Sequence, residues 1–251
     1  RYLYCRTVNR SHIRRGMDEV RPPMNIFFVS RKYSVAPLGI MYLSAALKAE
    51  GHRTWYFDNL TDLYDYHRLF KPDYVCYSVM AGDNGELQGW DDYLRYKGLT
   101  HQSVWGGNHV TFSPEEFKGI VIRGEGERAL CNALKGQLSN EIHYIEDLDG
   151  LPFPDRTIIT EGKIKHFITS RGCPFKCTYC FNEKWANLHK RKRVRQRSVE
   201  NVLKKIKDVN PEFAYFQDDI FGLDKDWLSE FSKSVKLPYH CHTRAEVVDT
   251  L

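Results

Sequence analysis

The sequence predicts an α/β fold, a doubly wound parallel sheet followed by a second strand–helix series. Three observations predict it. Short apolar runs bounded by Gly, Pro, Asn or Asp alternate with segments of helical period along the 251 residues, the pattern that parallel strands joined by crossovers require. The 42% hydrophobic and 27% charged composition supports a packed core and excludes global disorder. Glycine-rich loops recur where strands are expected to end, at the rim where open α/β sheets bind ligands.

The elements follow in order. Residues 1–23 are Arg-rich, hold Pro22-Pro23 and show no apolar period, so they read as a basic arm. The chain begins with Arg rather than Met, and a fragment of a longer protein is expected. Ile26 to Ser30 reads as a buried strand. Leu38 to Glu50 is an apolar helix stopped by Gly51. Arg53 to Phe57, Tyr74 to Val79, Ser103 to Trp105 and Ile120 to Ile122 supply four more strands. Leu87, Trp90 and Leu94 recur at helical spacing, and Arg128 to Leu138 reads as a further helix. The first domain is thus placed at residues 24–147. A Pro-rich linker covers 148–163, and a second domain begins at 164. There Lys165 to Thr169, Phe213 to Phe216 and Tyr239 to Thr243 are strands. Val199 to Asp208, with Ser198 as N-cap, and Asp226 to Val235 are helices.

Composition narrows the function. The net charge of +5 is local, with +4 on residues 1–23 and +9 on residues 184–207, so it does not mark the whole chain as a polyanion binder. The apolar stretch Ala36 to Leu47 contains Pro37 and Gly39 and is far shorter than the ~20 residues of a membrane span. No secretory signal pattern is seen, so a cytoplasmic location is expected. Three of the seven Cys fall within eight residues, which suits a metal or cluster site in a reducing compartment better than a disulfide framework.

That triplet, Cys173-Pro-Phe-Lys-Cys177-Thr-Tyr-Cys180, is the strongest chemical signal. Thiolates bind soft metals and iron–sulfur clusters. Three ligands on a tight loop would leave one iron of a four-iron cluster open. A structural zinc site completed by His189 or another residue is the alternative, but only one ligand set is visible. The spacing, with an aromatic residue before the third Cys, resembles the radical S-adenosylmethionine family. The resemblance implies a 4Fe-4S cluster on Cys173, Cys177 and Cys180, with S-adenosylmethionine on the fourth iron. Reductive cleavage would then yield a 5′-deoxyadenosyl radical, with the electron from an external reductant such as a flavodoxin or ferredoxin. It also implies S-adenosylmethionine contacts from Tyr179, from Asp218 or Asp219 at the second strand end, and from Arg244 after the third strand. His240 and His242 alternate with Cys241, so they face away from it and read as structural.

In the first domain, three loops lie at strand ends. Pro37-Leu38-Gly39 follows the first strand, Gly106-Gly107-Asn-His109 the fourth, and Gly124-Glu125-Gly126-Glu127 the fifth. Ser78 ends the third strand. The last loop matches a loose G-x-G-x-x-A dinucleotide fingerprint, but it sits on the last strand rather than the first. The order of these loops, followed by the Pro-rich linker and the Cys triplet, resembles the radical S-adenosylmethionine subclass with an N-terminal cobalamin-binding domain. The resemblance covers residues 24–251. It implies a Rossmann-like cobalamin-binding domain followed by the first part of a (β/α)6 partial barrel, incomplete over 164–251. It also implies cobalamin held by the loops just named and cobalamin-dependent methyl transfer or a related oxidoreduction. The Asp-x-His-x-x-Gly motif that ligates cobalt in other cobalamin proteins is absent, as it is from many members of the subclass.

Two other readings stand beside this one. An RNA-modifying methylthiotransferase-like member is weakened by the isolation of Cys76 and Cys131. A non-catalytic zinc or nucleic-acid module would use the basic run Lys190 to Arg197. That run lacks interleaved aromatic residues, so it reads as a solvated face that also balances an anionic cluster, and nucleic acid is not expected as a partner. Replacing Cys177 by Ala is expected to abolish iron incorporation while leaving the N-terminal domain folded. Full iron content in that variant would remove the cluster assignment.

Overall fold

A computed structural model describes residues 22–248; all but the last two residues of the basic arm at 1–23 lie outside that range. The first half is a five-stranded sheet of β1 (Asn25–Val29), β2 (Arg53–Phe57), β3 (Tyr74–Ser78), β4 (Gln102–Gly106) and β5 (Ile120–Val121). All pair in parallel in the order β2-β1-β3-β4-β5. The chain steps from β1 outward to β2, then returns to add β3 on the other side. That reversal between β1 and β3 opens a crevice at the carboxyl ends of the strands.

Helices cover both faces, as the near-continuous apolar strands demand. Side chains alternate along a strand, so β1 sends Ile26 and Phe28 to one face and Phe27 and Val29 to the other. The first face packs on Ile40 and Leu47 of α1 (Leu38–Ala49). The second packs on Leu63 of α2 (Leu60–Phe70) and on Leu87 and Leu94 of α3 (Asn84–Tyr96). Helix α2 gives a weak apolar signal in the sequence but is well capped. The Asn59 side chain accepts from the Asp62 N–H at 2.9 Å, and Lys71 closes it in the left-handed region.

A short helix, α4 (Asn108–Phe112), follows β4. A two-strand pair of β6 (Arg123–Gly124) and β7 (Ile142–His143) flanks α5 (Gly126–Leu134) and returns to the first face, where Leu130 and Leu134 join the core. The sequence places this helix at 128–138. The structure starts it two residues earlier and stops it at Lys135, where Gly136 turns at positive φ.

The second half holds a three-stranded parallel sheet ordered β12-β11-β8, from β8 (Ile164–Phe167), β11 (Phe213–Phe216) and β12 (Tyr239–Cys241). Between β8 and β11 come β9 (Ser170–Arg171), α6 (Phe181–His189), β10 (Arg195–Gln196) and α7 (Val199–Val209). Helix α8 (Lys225–Ser234) joins β11 to β12. Phe167, Ala214 and Phe216 pack on Val202 and Ile206 of α7 and Trp227 and Phe231 of α8. Both helices are capped by side chains, Ser198 to Asn201 N–H and Asp224 to Asp226 and Trp227 N–H. Among the described residues no helix is long and apolar enough to cross a membrane.

A buried polar chain runs between α2, α3 and β4. The His67 and His101 rings are hydrogen-bonded at 3.0 Å, and His101 meets the Asp91 carboxylate at 2.7 Å. Ser103 and Arg95 also donate to Asp91, at 2.7 and 2.9 Å. Burial alone would raise the Asp91 carboxyl; the bonds from His101, Arg95 and Ser103 outweigh it and hold the group well below the usual range. His67, 2% exposed, is pushed down to about 4 by burial and then by the neighbouring His101. Folded His67 therefore stays neutral where an unfolded histidine, ordinarily near 6.5, takes up a proton. Stability is expected to fall as pH drops from about 6.5 towards 4. Denaturation midpoints across that range should show a smaller drop in His67→Gln than in the unaltered chain.

Candidate functional site

A cavity of about 400 Å³ opens at the carboxyl ends of the first sheet and is closed by the second half. Its floor includes Phe28, Cys76, Ser78, Gly106 and Gly107. The starts of α1 and α5 supply Leu38, Gly39, Gly124, Glu125, Gly126 and Glu127. Arg171, Gly172, Trp185 of α6, Gln217 and Asp219 form the opposite wall. Close backbone approach shapes the floor. Gly107 stands at φ +99°, and a Cβ there would lie 2.7 Å from the Val79 carbonyl oxygen; one at Gly124 would strike the His143 backbone and come within 2.8 Å of the Trp185 ring.

Of the residues expected to hold cobalamin, Leu38, Gly39, Ser78, Gly106, Gly107, Gly124, Glu125, Gly126 and Glu127 all line this cavity. Pro37 sits behind them as the N-cap of α1, and His109 is turned to Glu116 at 2.9 Å. The cradle of glycine backbone and apolar strand ends suits a large planar cofactor edge, and the volume falls within the ~300–1,000 Å³ of ligand sites.

The two glutamates on the rim are already engaged. Glu125 accepts a two-pronged bond from Arg195 at 2.7 and 2.8 Å, and from the Ile145 N–H at 2.5 Å. Burial alone would raise its carboxyl; the Arg195 bond and the nearby Arg171 charge bring it below the usual value. Arg171 pairs with Glu127 at 2.5 Å. Arg195 is 3% exposed and lies over the Tyr144 ring at 4.0 Å. Arg197, 1% exposed, donates to the Leu148 carbonyl and faces the Tyr42 ring at 5.3 Å.

This corrects the reading of the basic run as a solvated face. Lys190, Arg191 and Lys192 are exposed, but Arg195 and Arg197 turn inward, because β10 pairs with β9 and presents them to carboxylates and carbonyls across the seam. Arg171, Arg195 and Trp185 are site residues that motif reasoning did not single out. Position gave the one available signal, since Arg171 stands immediately before Gly172-Cys173.

The cysteine loop leaves β9 through Gly172, at φ +89° and packed on the Arg193 carbonyl. Asp219 accepts from the Gly172 N–H at 3.1 Å and lines the cavity. Its neighbour does not face the cavity. Asp218, 3% exposed, accepts from the backbone and hydroxyl groups of Thr169 and Ser170 at 2.6 to 3.1 Å. Burial outweighs those bonds and pushes its carboxyl up to about 6. Asp218 thus ties the end of β11 to the junction of β8 and β9.

Cys173, Cys177 and Cys180 are free and half-buried. Tyr179 is 91% exposed. Arg244 places Nη1 3.2 Å from Cys177 Sγ, stacks on Phe175 at 4.2 Å and grips Glu246 at 2.6 and 3.2 Å. Among the described residues, no three His, Cys, Asp or Glu side chains close around a single metal ion. Three cysteine thiols on one loop are the donor type that holds iron–sulfur clusters. His240 and His242 pack on Tyr215 at 4.9 and 5.7 Å, while Cys241 faces the α7–α8 core.

Removing one member of a buried charge pair strands the other, at a cost of about 3–5 kcal/mol. Arg195→Met is therefore expected to lower unfolding free energy by about that much, and Glu125→Met with Arg195→Met to recover a large part of it, as denaturant titration would show.

Comparison with known proteins agrees with this architecture. Residues 24–134 match the B12 binding domain family. The chain is 29% identical over 246 residues to an uncharacterized methyltransferase of Pyrococcus horikoshii, covering 80% of this chain and 52% of that protein. It is 23% identical over 267 residues to the anaerobic magnesium-protoporphyrin IX monomethyl ester cyclase of Cereibacter sphaeroides, covering 84% and 43%. The chain thus spans about half the length of the curated relatives it matches. Among solved structures, the cobalamin-dependent S-adenosylmethionine radical enzyme OxsB superposes with a TM-score of 0.70 at 18% identity, over 89% of this chain and 39% of that one. The radical S-adenosylmethionine methyltransferase TsrM of Kitasatospora setae does so with 0.64 at 18% identity, over 84% and 50%. Residues 24–134 thus resemble the B12 binding domain family, and the chain shares its fold with the matched parts of OxsB and TsrM.

Proposed function

We propose that this chain carries the cofactor-binding half of a radical S-adenosylmethionine enzyme that transfers a methyl group with cobalamin. The observation that supports it most is a single cavity with two kinds of wall. One wall is the glycine rim of the B12-binding domain; the other ends at Gly172, one residue before the cysteine triplet.

When bound, the cluster with S-adenosylmethionine supplies one-electron cleavage to a 5′-deoxyadenosyl radical, and cobalamin supplies the methyl carrier. The chain's own residues hold and enclose these groups. Cys173, Cys177 and Cys180 would hold the cluster, and Asp219 fixes the loop start through Gly172. The Gly106-Gly107 and Gly124–Gly126 backbones would cradle cobalamin, with Leu38 and Tyr42 excluding water from the same cavity. The Nε–Nη2 edge of Arg244, now on Glu246, has the fork geometry that a methionine carboxylate takes. An external flavodoxin or ferredoxin would deliver the electron. The likeness to the cyclase favours a related oxidoreduction as the second reading.

The test is iron, sulfide and zinc content after anaerobic reconstitution, with electron paramagnetic resonance spectra before and after adding S-adenosylmethionine. About four irons and four sulfides, with a spectrum perturbed by the nucleoside, are expected. Zinc without iron would overturn the proposal.

Cobalamin binding has a separate test. An added Cβ at Gly39 meets nothing within 4 Å, and the residue lines the cavity. Gly39→Phe should keep the fold and weaken hydroxocobalamin binding at least ~10-fold, about 1.4 kcal/mol, as read by absorbance titration. Unchanged affinity would move cobalamin out of this cavity.

A further inference from the structure

Arg244 uses three sides of its guanidinium at once. Nη1 points at Cys177 Sγ at 3.2 Å, the flat face lies 4.2 Å over Phe175, and the Nε–Nη2 edge grips Glu246. Two of these contacts are to the cysteine loop itself, at Phe175 and at the middle cysteine. The backbone around Arg244 is held as well. The His242 carbonyl accepts from Phe221 N–H at 2.8 Å, and the Arg244 carbonyl from Val247 N–H at 3.0 Å. A lysine offers no plane to stack and no fork, so this set of contacts is specific to arginine.

We infer that Arg244 is a positioning residue that hydrogen-bonds the Cys177 sulfur and so sets the reduction potential of the cluster. The inference rests on the cluster assignment made above. Hydrogen bonds to ligand sulfurs and nearby charge are the protein's main means of setting cluster potentials. A guanidinium beside the thiolate favours the state with one more electron, so Arg244 raises the potential. Glu246, one carboxylate farther from the sulfur, opposes it. In the reduction itself one electron passes from the reductant to the cluster; no bond is made or broken at Arg244, which keeps its protons.

The experiment is a dithionite titration of the reconstituted protein followed by electron paramagnetic resonance, on the unaltered chain and on Arg244→Gln, Arg244→Lys and Glu246→Gln. Iron content is measured first for each. Arg244→Gln is expected to lower the midpoint, Arg244→Lys to lower it less, and Glu246→Gln to raise it. A purely structural role would not give shifts of opposite sign from two partners of one ion pair. Coincident midpoints in iron-replete protein, or shifts of the same sign, would overturn the inference. Should Arg244→Gln lose its iron, the lysine and Glu246 variants decide on the same criterion. Absence of iron from the unaltered chain would overturn the cluster assignment and this inference with it, whereas full iron with unmoved midpoints overturns only the role of Arg244.

Discussion

The interaction on which the rest of the structure depends is the double ion bridge between Glu125 and Glu127 on the sheet rim and Arg171 and Arg195 in the cysteine half. All four groups are largely out of water. An ionised group in that setting costs several kcal/mol unless it is paired and hydrogen-bonded. The two halves must therefore meet with these four side chains in register. Arg171 and Arg195 are themselves register partners in the β9–β10 ladder, so they act as one unit. Because Arg171 is followed at once by Gly172 and Cys173, fixing the arginine fixes where the cysteine loop leaves the sheet. The distance between cavity rim and cysteine loop is thereby held by charge pairing, beside the apolar contact of Leu38, Met41 and Tyr42 with Ile158, Ile159 and Ile168.

The adjacent acids Asp218 and Asp219 complete that placement from the other side. Asp218 saturates its carboxylate with Thr169 and Ser170, which locks the end of β11 to the start of β9. Asp219, one residue on, takes the Gly172 N–H and lines the cavity. The two acids divide the labour, one for the scaffold and one for the loop. The loop then needs Gly172, since a side chain there would collide with the Arg193 backbone.

Much of this was legible in the sequence. The five strands announce themselves because both sheet faces are buried, which makes runs such as Ile26 to Val29 apolar throughout. The cysteine triplet and the glycine loops are legible because their chemistry depends on residue type and spacing. Asp218 was not, since a carboxylate inside a hydrogen-bonded strand end and one facing a ligand look alike in one dimension. Arg195 and Arg197 were hidden for a related reason. Their partners, Glu125 and the Leu148 carbonyl, lie 70 and 49 residues away, so a local window shows only a dense basic run. Helix α2 was obscured by its polar face, though its Asn59 cap is a signal that could have been read.

The seam beside these bridges shows how the structure disposes of excess positive charge. Tyr42 faces Arg171, Arg197 and Lys205, and only Arg171 has a carboxylate of its own there. Two further unpaired cations at one buried phenol ring would repel each other. Burial, then the Arg197 charge, pushes Lys205 down to about 6, which favours the neutral amine, and its Nζ donates to the Tyr42 hydroxyl at 3.3 Å. Arginine cannot lose its proton in this way. Arg197 keeps its charge, spends one nitrogen on the Leu148 carbonyl and rests against the ring. The same distinction explains why the residues bridging to the rim glutamates are arginines. A lysine at 171 or 195 could relieve its burial by becoming neutral and abandon the carboxylate, whereas a guanidinium has to keep its partner, and with it the geometry of the cavity.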